Sequence, residues 1–375
     1  MRSERCEVKN ADRRPMATGM AAFAASPFSL AAPKRLREGR SSILLPVRDY
    51  DLAATLDSGQ VFRWQRQDSS WSGVIGRHRV RLTQTCDGIC AETAAPVADW
   101  RWLRDYLQTE VDLEAVLKTF PDDEPMRAAI AACRGLRVLR QDPWECLASF
   151  ILSSTKQIIQ IRQIVELLCE RFGERLAPRP PVSENNLSTK LDSAERPFAL
   201  PSSPIGERVA SGRVRGSKDS KRAKCQDNLS LPEKARGAIF SFPTPERLAA
   251  ATEVELRACK MGFRAPHLLA AARQIAEGRF DLEKTRHLPL AEARAELTKF
   301  RGVGGKIADC VLLFAYGFDS AFPVDVWVER ALRRLYFHRR RVTAKRLRRF
   351  AVTHFGPYAG YAQQYLFHYM RTKMK

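Results

Sequence analysis

Hydrophobic and polar residues change rhythm twice along this chain of 375 residues. From Ile43 to about Leu107 they alternate in short runs. Val61-Phe62-Arg63-Trp64, Trp71-Ser72-Gly73-Val74-Ile75 and Arg79-Val80-Arg81-Leu82 are separated by turn residues. Period two sends successive side chains to opposite faces, so the stretch predicts a small antiparallel sheet. Helical patterns follow at residues 98–108 and 112–118. After Asp142-Pro143 the period lengthens, and Leu147, Phe150, Ile151, Ile158, Ile161, Ile164, Val165, Leu168 and Phe172 trace one apolar face. Periodicity is lost over residues 177–231, which are rich in Pro, Ser, Arg and Lys, so a disordered basic insertion is expected there. Helical patterning resumes near Pro243, with Thr244 as an N-cap and Pro245 in the first turn. Glu253-Val254-Glu255-Leu256 opens the next helix, and further helices are expected at 266–277, 290–299, 306–315, 324–335, 344–354 and 359–372. No internal repeat is present.

The pattern predicts an α+β protein. Residues 1–42 form a disordered basic tail, and 43–142 a small antiparallel sheet domain with helices. Residues 143–176 and 232–375 form a helical domain, interrupted by the basic insertion at 177–231.

Charge narrows the partner. The net charge is +21 and the isoelectric point is near 10.0. Each Lys or Arg that neutralises a phosphate releases a counterion, so this balance favours a polyanion. Charge alone does not separate nucleic acid from an anionic membrane surface. No apolar run approaches the ~18 residues that span a bilayer. Nine cysteines, odd in number and scattered, are expected to be reduced thiols. The tight pair Cys86 and Cys90 has no second pair or histidine near it, so no zinc site is expected. The insertion, with Arg213-Val214-Arg215-Gly216-Ser217-Lys218 and Lys221-Arg222, reads as a surface loop or as an arm that tracks DNA.

The densest chemistry lies in Phe300-Arg301-Gly302-Val303-Gly304-Gly305-Lys306-Ile307-Ala308-Asp309-Cys310. A glycine-rich turn between two helical patterns reads as a helix-hairpin-helix. Its glycines let backbone N–H groups approach a phosphate. The turn lacks the four-residue spacer of a P-loop, and no strand precedes it, so neither ATP nor a dinucleotide is implied. Lys306 follows at once, and Asp325 lies 19 positions later within Pro323-Val324-Asp325. From spacing alone, Lys306 is a phosphate contact, a solvent-facing residue or an amine nucleophile, and Asp325 is a helix N-cap, a catalytic carboxylate or both.

Further motifs accompany the turn in order. They are Leu56-Asp57-Ser58-Gly59-Gln60-Val61-Phe62-Arg63-Trp64, Leu82-Thr83-Gln84-Thr85, Gln141-Asp142-Pro143-Trp144-Glu145-Cys146-Leu147 and Gly356-Pro357-Tyr358-Ala359-Gly360-Tyr361-Ala362-Gln363. From about Leu44 to Arg371, apart from the insertion, the chain resembles the eukaryotic-type 8-oxoguanine DNA glycosylase/lyases of the helix-hairpin-helix superfamily. The resemblance implies a bifunctional enzyme that flips a damaged base out of duplex DNA, excises it and nicks the strand by β-elimination. It implies double-stranded DNA with an oxidised purine as partner, no cofactor, a monomer, and a location with the DNA: nucleoid or cytoplasm in a bacterium, nucleus in a eukaryote. Some relatives carry a C-terminal four-cysteine iron–sulfur centre, but no cysteine follows Cys310.

Residue by residue, the resemblance makes Lys306 the Schiff-base nucleophile and Asp325 the carboxylate facing the sugar. Gly59 supplies a carbonyl that accepts the N7–H that distinguishes 8-oxoguanine from guanine. Gln363 reads the Watson–Crick edge. Phe367 and Cys310 lie on either face of the flipped base, with ordinary core packing as the alternative for both. Gly302, Val303 and Gly304 hold a phosphate by their backbone. Phe263-Arg264 matches a pair that wedges the duplex and binds the orphan cytosine. Thr155, Gln160 and Trp327 stand where the vertebrate enzymes carry Asn, Arg and His, and these departures predict a weaker preference for cytosine opposite the lesion. An alkylated-base glycosylase on the same fold and a catalytically silent DNA-binding module are the competing readings.

Overall fold

The computed structural model describes residues 35–36, 40–154, 156–176, 239–338 and 342–372. Thr155, the 177–231 insertion and most of the 1–42 tail lie outside the described residues. Among the described residues no helix is long and apolar enough to cross a membrane.

Six strands form an antiparallel sheet: β1 Arg35–Leu36, β2 Arg40–Leu45, β3 Gln65–Gln67, β4 Ser70–Ile75, β5 His78–Thr85 and β6 Gly88–Thr93, in the order β1-β2-β6-β5-β4-β3. The sheet therefore begins before residue 43, inside the stretch expected to be tail. Trp71 pairs with Leu82, and Leu82 with Ala91, so three buried side chains line one face. That face packs on α2 (Arg101–Leu107) through Leu103 and Leu107.

One expectation changes here. Val61-Phe62-Arg63-Trp64 is not a strand. It is the end of a buried loop that follows α1 (Leu52–Asp57), a helix not expected from the sequence pattern. Val61, Phe62 and Trp64 are all buried, Arg63 between them turns its guanidinium to Glu145 at 3.5 Å, and Trp64 donates its indole N–H to the Tyr106 hydroxyl at 2.9 Å. In addition, α3 (Leu113–Lys118) and α4 (Glu124–Cys133) bury Leu113, Val116, Met126 and Ala129 in the helical core, away from the sheet core. The helical core thus also draws on side chains that precede Pro143.

The helical core gathers α5 (Pro143–Leu152), α6 (Ile158–Phe172), α9 (Ala265–Ala276), α12 (Gly305–Val311) and α15 (Ala359–Thr372). Between them run α7 (Pro245–Ala249), α8 (Glu253–Leu256), α10 (Leu282–Thr285), α11 (Leu290–Leu297), α13 (Val326–Leu335) and α14 (Ala344–His354). The helix begun by α12 continues as a π turn over Leu312–Tyr316. Thr244 caps α7 by accepting the Arg247 N–H, as its position before Pro245 predicts.

Candidate active site

Gly59 sits at φ +81°, a backbone region that side chains rarely adopt. A Cβ there would lie 2.9 Å from Ile158 Cδ1, 3.3 Å from Arg371 Nη1 and 3.4 Å from Phe367 Cε1, so Gly59 forms a wall shared with α15. The loop is held by buried amides on both sides. The Gln60 amide nitrogen donates to the Thr55 and Arg137 carbonyls at 3.0 and 2.8 Å, and its oxygen accepts the Leu139 N–H at 2.8 Å. The Gln141 side chain donates to the Gln60 carbonyl at 2.8 Å. Gln364 donates to the Ser58 carbonyl at 3.1 Å. A loop with so many buried bonds is fixed before any ligand arrives.

On α15, Gln363, Phe367 and Arg371 are spaced by four and share one face. Gln363 is buried, and its Oε1 has no hydrogen-bond partner. A buried acceptor without a partner costs about 1–3 kcal/mol, and such groups mark strain or an absent ligand. Phe367 is half-buried with the Arg371 guanidinium 5.7 Å from its ring centroid.

Lys306 and Cys310 lie one turn apart on α12. The Lys306 ammonium is 5.4 Å from the centre of the Phe150 ring. Cys310 is buried, and burial pushes its thiol up to about 12, with Lys306 pulling it down and Asp325 pushing it further up. Asp325 caps α13, accepting the Val328 N–H at 2.8 Å. Burial raises its carboxyl above the ordinary value, against the opposing pull of its backbone bonds, Lys306 and Arg371. Asp325 thus feels Lys306 on one side and Arg371, the neighbour of Gly59 and Phe367, on the other.

The hairpin leaves its helix end open. Gly304 is the N-cap of α12 with no side-chain cap, and open space lies where Cβ atoms at Gly304 and Gly305 would be. The first N–H groups of a helix have no internal partner and carry its positive dipole end, which suits a phosphate oxygen. Gly302 stands at φ +85°, and a Cβ there would overlap the His267 ring. Phe300 and Val303 are buried, so only the backbone of Val303 can face DNA. Arg294 on α11 pairs with the buried Asp309 on α12 at 2.6 Å and fixes the hairpin.

Phe263 is 55% exposed and its ring contacts His267, beside the hairpin turn. Its position suits a wedge. Arg264 is different. It is buried, with its guanidinium donating to the Met261 carbonyl at 3.2 Å and to the Ser154 carbonyl. Gln160 is exposed, and its side chain accepts the Gln157 N–H in the capping box of α6. Trp327 is half-buried under Arg330, 4.9 Å away. A cavity of about 540 Å³ lies elsewhere, between the sheet and α6, lined by residues that include Trp64, Arg79, Arg162 and Glu166. It touches neither Lys306 nor Asp325.

Two protein families match this chain. Residues 42–147 match the family described as 8-oxoguanine DNA glycosylase, N-terminal domain, and residues 222–355 match the HhH-GPD superfamily base excision DNA repair protein. The chain thus carries the two domains of an 8-oxoguanine DNA glycosylase/lyase. A probable N-glycosylase/DNA lyase of Methanothermobacter thermautotrophicus is 28% identical over 343 residues, covering 87% of this chain and 95% of that protein. The N-glycosylase/DNA lyase OGG1 of Arabidopsis thaliana is 28% identical over 333 residues, covering 84% and 76%. The Clostridium acetobutylicum 8-oxoguanine glycosylase/lyase, solved with double-stranded DNA containing cytosine opposite 8-oxoG, superposes with a TM-score of 0.70 at 27% identity, covering 92% of this chain and 98% of that one.

Sequence reasoning expected Lys306, Asp325, Gly59, Gln363, Phe367 and Cys310 at the site. It missed Gln60, Gln141 and Gln364, which hold the Gly59 loop, and Arg371, which shares its wall. The signal for the first two was their place inside two of the ordered motifs. Arg371 sits four residues past Phe367, and that spacing was the only clue.

Proposed function

We propose that this protein excises 8-oxoguanine, and formamidopyrimidine lesions, from duplex DNA through a Schiff base at Lys306 and then nicks the strand. It acts on DNA inside the cell. The flipped base enters between Cys310 and Phe367, and its Watson–Crick edge meets the unpartnered amide of Gln363. The Gly59 carbonyl accepts N7–H. Guanine presents an N7 lone pair there instead, and two facing acceptors lose the bond and repel.

Lys306, as the neutral amine, attacks C1′ while the glycosidic bond breaks and its electron pair leaves with the base. Asp325 stabilises the positive charge that builds on the sugar. The amine gives up a proton once bonded, the C1′–O4′ bond opens with O4′ taking a proton, and the iminium so formed acidifies C2′–H; loss of that proton expels the 3′ phosphate, and water then releases the sugar fragment from Lys306. The hairpin amides at Gly302, Val303 and Gly304 hold a backbone phosphate, and Phe263 fills the duplex. The observation that carries this reading is the placement of Asp325, coupled at once to Lys306 and to the cation beside Gly59 and Phe367.

Discrimination of the opposite base is proposed to be weak. Arg264 is committed to two carbonyls and Gln160 to a helix cap, so neither is free to read an orphan cytosine as described.

Borohydride trapping on a duplex with 8-oxoguanine opposite cytosine tests the assignment, beside undamaged and alkylated duplexes. A covalent adduct only with 8-oxoguanine is expected, absent in Lys306→Gln, which should keep its DNA affinity. Nicking by Lys306→Gln would remove Lys306 as the nucleophile. Base release from the alkylated duplex without trapping would favour a monofunctional alkylation enzyme.

A further inference from the structure

Arg371 is not among the residues that the family resemblance brings to the site. It follows Gln363 and Phe367 on the same face of α15, and its Nη1 lies 3.3 Å from the position of a Cβ on Gly59. That nitrogen is buried and has no hydrogen-bond partner. Among the described residues no carboxylate bonds it. Asp57 is bonded to Arg162 at 3.0 Å and reaches Arg371 only as a longer-range charge. A guanidinium presents its donors in a fixed plane and cannot shed its charge, so an unfilled N–H beside a pocket wall is a strong demand for an acceptor.

We infer that Arg371 is a base-contacting residue: its guanidinium donates to a carbonyl oxygen of the flipped purine, at the edge whose N7–H meets Gly59. An 8-oxoguanine carries an oxygen on each side of N7, O6 and O8, and so offers acceptors next to the group that Gly59 accepts. Gly59 and Arg371 then form a complementary pair on one wall: a carbonyl for the N–H, and an N–H for the neighbouring carbonyl. Burial weakens the hydration of the guanidinium, so the bond it makes to the base is worth more than one in water. The inference rests on the pocket proposed above and adds to it a donor.

The acceptor could instead be a DNA phosphate, and the test separates the two. Arg371→Met is compared with the unaltered protein in single-turnover excision of 8-oxoguanine, in nicking of a duplex with a preformed abasic site, and in the salt dependence of duplex binding. The base contact predicts a fall of about 10- to 100-fold in excision, with nicking of the abasic duplex and the salt slope preserved, because no base is present there. Equal losses on both duplexes, with a salt slope smaller by about one, would make Arg371 a phosphate contact and overturn the inference. Unchanged excision would make it a structural cation only. Should Arg371→Met fail to fold by thermal melting, Arg371→Lys keeps the charge with a single donor atom and is expected to show a smaller loss confined to excision; a loss shared with the abasic duplex would overturn the inference. If the unaltered protein itself leaves 8-oxoguanine in place, the reading of the pocket falls first and this inference falls with it.

Discussion

At Asp325 one carboxylate caps α13 through the Val328 N–H at 2.8 Å while burial raises its pKa. The raised value means that the folded state holds this proton to higher pH than the unfolded chain. Its contribution to stability therefore falls as pH rises from the ordinary value of 3.8 through the higher folded value. Asparagine caps a helix as well as aspartate and carries no charge to desolvate. Asp325→Asn is expected to lower single-turnover excision by about 10²- to 10³-fold while the melting temperature stays level or rises. Full activity in that variant would remove Asp325 from the chemistry. In the unaltered protein, excision should decline on the acid side at a higher pH than an ordinary aspartate would give. Cys310 makes a separate prediction. Its thiol, pushed up to about 12 by burial, should resist iodoacetamide at pH 8, while the exposed Cys86 reacts. Mass spectrometry of the alkylated native protein reads both sites.

The hairpin separates two kinds of glycine at the scale of an element. Gly302 has φ +85° and no room beside His267, so Gly302→Ala is expected to cost about 1–3 kcal/mol of stability. Gly304 has an ordinary φ of −94° and open space around it. Gly304→Ala should cost less than about 1 kcal/mol yet weaken duplex binding, because the added methyl occupies the space proposed for phosphate. Thermal melts and binding isotherms on both variants check the contrast; equal DNA affinity in Gly304→Ala would place the phosphate elsewhere. Element identity was largely legible. Thr244, Asp325 and Thr343 each cap a helix that the apolar period predicts. The helix α4 escaped, although Asp123 before Glu124-Pro125 is a start signal. The strand expected at Val61–Trp64 failed for a different reason: alternation of apolar residues does not distinguish a strand from a buried loop whose polar groups are satisfied by distant partners.

For the whole molecule, +21 charges favour phosphate contacts whatever the DNA sequence. Affinity for undamaged duplex should fall steeply between 50 and 200 mM salt, by about 10³-fold if roughly six phosphates are engaged. A flat salt response would contradict an electrostatic footprint. Excision opposite cytosine, thymine, guanine and adenine should proceed at comparable rates, since Arg264 is buried and bonded to carbonyls. A strict cytosine preference would show that Arg264 leaves those bonds on binding DNA. The helical core also gathers residues from both halves of the chain. Leu113, Val116, Met126 and Ala129 lie in the helical core although they precede Pro143, because α4 packs on α15 from the far end of the sequence.

What the sequence determined by itself was chemistry that is local along the chain: periods of two and 3.6, caps one residue before a helix, a glycine turn followed by a lysine, and ordered motifs enough to name the family. Those signals survive in one dimension because backbone geometry and neighbouring side chains set them. The tertiary structure alone decided which of them meet. It brought Gly59 against Phe367 and Arg371 across some 300 residues, left Gln363 Oε1 and Arg371 Nη1 buried without partners, and committed Arg264 to the Ser154 and Met261 carbonyls. Burial and hydrogen-bond satisfaction depend on atoms distant in sequence, so no spacing rule carries them.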